Sequence, residues 1–73
     1  MPELLTEADI FTRLLERLHL LEEGCYILGH YYKAQDDFNR GQGLLAVGEM
    51  FKMTQINVTN LATKSIRAEG GFR

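Results

Sequence analysis

From Phe11 onward apolar side chains recur at alternating steps of three and four: Phe11, Leu14, Leu18, Leu21, Cys25, Leu28 and Tyr32. An α-helix turns about 100° per residue, so this spacing gathers them into one seam, and with Phe11 at heptad position a they fill positions a and d. Ile10 and Tyr31 fall at g, Leu15 at e, and Leu20 and Ile27 at c, which widens the apolar arc well beyond a two-stranded coiled-coil stripe. Such a helix must touch more than one neighbour. Positions b and f collect Thr12, Glu16, His19, Glu23, Tyr26 and His30, a mainly polar outer face. Upstream, Thr6 followed three residues later by Asp9 has the form of a capping box, so the helix is predicted over about 7–35.

The periodicity stops at "QDDFNRGQG", a concentration of Asp, Asn and Gly that marks a reversal of the chain at about 36–42. Asp36, Asp37 or Asn39 can cap a second helix, which leaves its start between about 38 and 43. Leu44, Val47, Phe51, Thr54, Val58 and Leu61 then repeat the three-four spacing, with Met50 and Met53 broadening the face. The second helix is predicted over about 43–66, and "AEGGFR" reads as a stop followed by a flexible tail over 67–73. Two helices of similar length joined by a short bend predict an all-α antiparallel hairpin. Gly41 and Gly48, seven apart on one helical edge, suit close helix approach, at a helix propensity penalty of about 1 kcal/mol each relative to Ala.

Length sharpens this picture. A single domain of 73 residues buries only about 60% of its unfolded surface, so its core needs a supplement. With Cys25 as the sole cysteine, an intrachain disulfide is impossible and a cysteine zinc cage is disfavoured, which leaves association with another chain. The expected architecture is therefore a homodimer of hairpins forming a four-helix bundle. Its core and interface would be built from Phe11, Leu14, Leu18, Leu21, Cys25, Leu28, Tyr32, Leu44, Val47, Phe51, Val58 and Leu61.

Composition narrows the function classes. A content of 45% apolar and 25% charged residues is that of a globular chain, and a net charge of -2 supplies no field for nucleic acid. Lys64, Arg67 and Arg73 form a thin basic cluster suited to the dipole of the second helix, and a nucleic-acid regulator is only a secondary alternative. No apolar run approaches a membrane span, and the first residues lack the basic start and apolar core of a secretory leader, so a cytoplasmic protein is expected. The sequon Asn57-Val58-Thr59 then reads as chance.

Few residues offer chemistry. Glu16-x-x-His19 has the spacing of a di-iron carboxylate bundle, which makes a metal-binding bundle protein the first alternative function. Both residues, however, fall on the outer face, and the second helix contributes only Glu49, also at an outward f position, so no metal or other cofactor is expected. Cys25 lies on the a seam, where a thiol is packed and inert, and an interchain disulfide disagrees with a cytoplasmic location. No catalytic residue is assigned. Tyr26 and His30, four apart on the outer face, form a candidate patch for a protein partner.

Residues 25–53 resemble a single tetratricopeptide repeat, a helix-turn-helix unit. The matching residues are Leu28-Gly29, Tyr32 three later, Asp37-Phe38 at the family's turn, and Leu45 at its large apolar position. Gly41 and Gly48 stand where the family prefers alanine, Cys25 where tryptophan is common and Met53 where proline often closes the unit. The resemblance implies the same hairpin and a role in protein recognition. The expected function is thus a non-enzymatic helical interaction, structural or regulatory module whose partners are itself and a further protein.

Overall fold

The computed structural model describes the backbone of residues 6–70 and the side chains of residues 6–65. Two helices, α1 (Glu7–Ala34) and α2 (Phe38–Gly70), pack against each other as an antiparallel hairpin. Helix α1 begins with the capping box that the sequence suggests. Asp9 N donates to Thr6 Oγ1 and Thr6 N donates to Asp9 Oδ2, both at 3.1 Å, satisfying two amides that the first turn leaves unpaired. The amide of Thr6, followed by its hydroxyl, holds the Asp9 carboxyl below the usual aspartate range.

The end of α1 is a Schellman closure. Asp36 N donates to Lys33 O at 3.1 Å and Asp37 N to Tyr32 O at 2.9 Å, with Asp36 in the left-handed region at φ 62. An aspartate replaces the usual glycine there, since its short polar side chain tolerates this conformation. Asp37 then serves α2 directly: its carbonyl accepts from Gly41 N at 3.1 Å and its carboxylate from Arg40 N at 3.3 Å. Helix α2 consequently starts at Phe38 rather than near 43, and the turn is confined to 35–37. It also continues past the expected stop at Ile66 to Gly70; of the tail expected over 67–73, residues 71–73 lie outside the described residues. Arg40 lies 5.5 Å over the Tyr32 ring and Lys33 4.9 Å over Phe38, so cation–π contacts tie the turn on both flanks.

The helices meet along positions a and e rather than a and d. With Leu44 at position a of α2, the facing lines are Phe11, Leu15, Leu18, Glu22, Cys25, Gly29 and Tyr32 against Gly41, Leu44, Gly48, Phe51, Gln55, Val58 and Ala62, all buried or half-buried. Glycine decides this choice. A methyl built on Gly41 would stand 2.8 Å from Gly29 O, one on Gly29 2.7 Å from Leu45 Cδ2, and one on Gly48 2.9 Å from the Tyr26 ring. The backbones therefore touch near the turn, where any larger residue at these e positions would force them apart. Gly24 and Gly43, by contrast, have nothing within 4 Å of such a methyl.

Candidate interaction face

Packing through a and e gives the hairpin two unlike sides. Tyr26 and Glu49, at b of α1 and f of α2, meet across the seam, where Tyr26 Oη donates a hydrogen bond to Glu49 Oε2. That hydrogen bond and burial push the Tyr26 phenol up to about 12, because a donated proton shared with a carboxylate is harder to remove. Gln55 Nε2 donates to Glu22 Oε1 at 2.7 Å and to Phe51 O at 3.2 Å, a second polar tie between the helices. This side also carries Glu16, Glu23 and His30, all exposed.

The opposite side is apolar. Helical geometry places the d positions of both helices on the flank of the a and e lines away from Tyr26 and Glu49. Leu14, Leu21 and Leu28, each seven residues from the next, are 42, 50 and 46% exposed, and Val47 and Leu61 stand opposite on α2 at 39 and 58%. Ile10, Tyr31 and Met50 extend the surface at g. At its open end Ile10, Leu14 and two arginines, Arg13 and Arg17, line a shallow depression. Among the described residues only Leu18 and Ala62 are buried apolar side chains, at 9 and 8% exposure.

The twelve residues expected at a core or interface divide accordingly. Phe11, Leu18, Cys25, Tyr32, Leu44, Phe51 and Val58 pack within the hairpin, whereas Leu14, Leu21, Leu28, Val47 and Leu61 form the exposed line. Gly41 and Gly48 lie at the close approach that their spacing suggests, but hydrophobic spacing could not reveal that Gly29, Gln55 and Ala62 complete the contact, because they add little or no apolar side chain. Of the suggested Tyr26–His30 patch, Tyr26 is half-buried against Gly48 and bonded to Glu49, while His30 is exposed on the same side. His19 turns to Glu22 at 3.7 Å and Glu23 at 3.8 Å, not to Glu16. Among the described residues no three His, Cys, Asp or Glu side chains are grouped to share a metal ion, and no helix is long and apolar enough to cross a membrane.

No family model, curated protein or solved structure matches the chain.

Proposed function

We propose that this chain is a helical interaction module, structural or regulatory rather than catalytic, that works in the cytoplasm as a homo-oligomer through its apolar side. One observation carries the reading. Leu14, Leu21 and Leu28 repeat at heptad spacing yet remain about half exposed, facing Val47 and Leu61 across the same uncovered surface. A periodic apolar line at this density is the signature of a surface that packs on a partner, since isolated exposed leucines would not keep register. The likeness of residues 25–53 to a tetratricopeptide unit supports protein recognition, because such units bury their faces only against neighbours.

Sedimentation velocity on the purified chain and on Leu21→Asp tests the proposal. The native chain should sediment as a multimer. Leu21→Asp, which places a carboxylate in the middle of the apolar line, should shift it to monomer, with loss of helix by circular dichroism as the hairpin loses its support. A native chain that remains monomeric and fully helical at high concentration would refute the homo-oligomer.

A further inference from the structure

We infer that the occupant of the apolar side is a second copy of this chain, stacked face to face about a twofold axis with the two turns at opposite ends. The inference rests on the homo-oligomer reading above and specifies its geometry. Area comes first. The chain exposes 5871 Å², whereas a compact protein of its mass exposes about 4,600 Å² by the usual mass scaling, an excess of about 1,300 Å². A stable interface takes about 800 Å² from each partner, so the surplus is large enough to supply one.

Register comes second. In antiparallel stacking α1 lies over α1 of the second copy and α2 over its α2, and a heptad ladder closes best when each d position meets an a position. An axis crossing α1 near residue 23 and α2 between residues 52 and 53 does this for both pairs at once. It sets the exposed Leu14 against the half-buried Tyr32 of the second copy, and the exposed Val47 against its half-buried Val58. The two crossing points lie at one level of the hairpin, as shown by Tyr26 bonding to Glu49 and Glu22 to Gln55 on either side of it. A single symmetry axis therefore serves both helices.

Double electron–electron resonance on Cys25→Ser chains carrying one nitroxide, through Glu23→Cys or through Thr12→Cys, reads the arrangement directly. Both positions are exposed and face away from the proposed contact. With opposite turns the two Glu23 labels share a level, whereas the two Thr12 labels are offset by about 33 Å along the helices, at 1.5 Å per residue. A dimer in which the Thr12 distance clearly exceeds the Glu23 distance supports the inference. A dimer with similar distances at both sites overturns the orientation and leaves the homo-oligomer intact. A chain with no intermolecular distance overturns both, and its binding to phosphatidylglycerol vesicles would assign the face to a lipid surface instead.

Discussion

Tyr26 shows how one residue can be misread from its heptad position. Position b predicts an outward ring, yet the absence of a side chain at Gly48 opens a slot into which the ring settles, bringing its hydroxyl to Glu49. The consequence is a pH dependence. The phenol is raised to about 12 in the fold, against about 10 in an unfolded chain, so the folded state favours the protonated form. Its stabilising contribution is complete below about pH 10 and is lost as pH rises toward 12. Urea unfolding midpoints measured across that window should fall more steeply for the native chain than for Tyr26→Phe. At the other end of α1, Thr6→Ala removes the cap and should lower stability by about 1 kcal/mol in thermal unfolding. The Asp9 partner adds the opposite pH sense, since a lowered carboxyl supports the fold at neutral pH and loses that support as acid protonates it.

At the scale of the elements, helix class, the capping box and the hairpin were legible because they depend on spacing and on cap residues. The start of α2 was not. Gly41 and Gly43 argue locally against helix, but Asp37 caps the segment and the close contact of Gly41 with α1 outweighs its propensity penalty. The same reasoning separates two glycines of α1 that look alike in sequence. Gly29→Ala drives a methyl toward Leu45 and the carbonyl of Gly41, and should destabilise the hairpin by about 1–3 kcal/mol. Gly24→Ala meets nothing within its own chain and should gain about 0.5–1 kcal/mol of helix propensity. Chemical denaturation of the two variants side by side checks both signs.

For the whole molecule, the seam read from the sequence as one a and d stripe is divided between two contacts. Position a packs within the hairpin, and position d is left on the outside. Periodicity alone cannot make this division, because the deciding residues at e are mostly glycine, alanine and polar side chains. The result is a single layer of helices, with Cα positions spanning 10 Å in the thinnest direction, where domains ordinarily need two layers to enclose a core. Under the homo-oligomer proposal, stability belongs to the assembly. The melting temperature should therefore rise with protein concentration, and calorimetry over a hundredfold dilution series should show that rise in the native chain and its absence in Leu21→Asp.

The glycine contact beside the turn also bears on how the chain reaches this shape. Gly29 and Gly41 are only twelve residues apart, so their meeting closes a short loop at small entropic cost, whereas Glu22 and Gln55 must close a loop of 33. The backbones come together where closure is easiest, and the remaining layers can join in order outward from that point. The hairpin should zip from its turn like a hinge closing, and the open end, where Arg13 and Lys64 stand, should be the first to part in native-state hydrogen exchange.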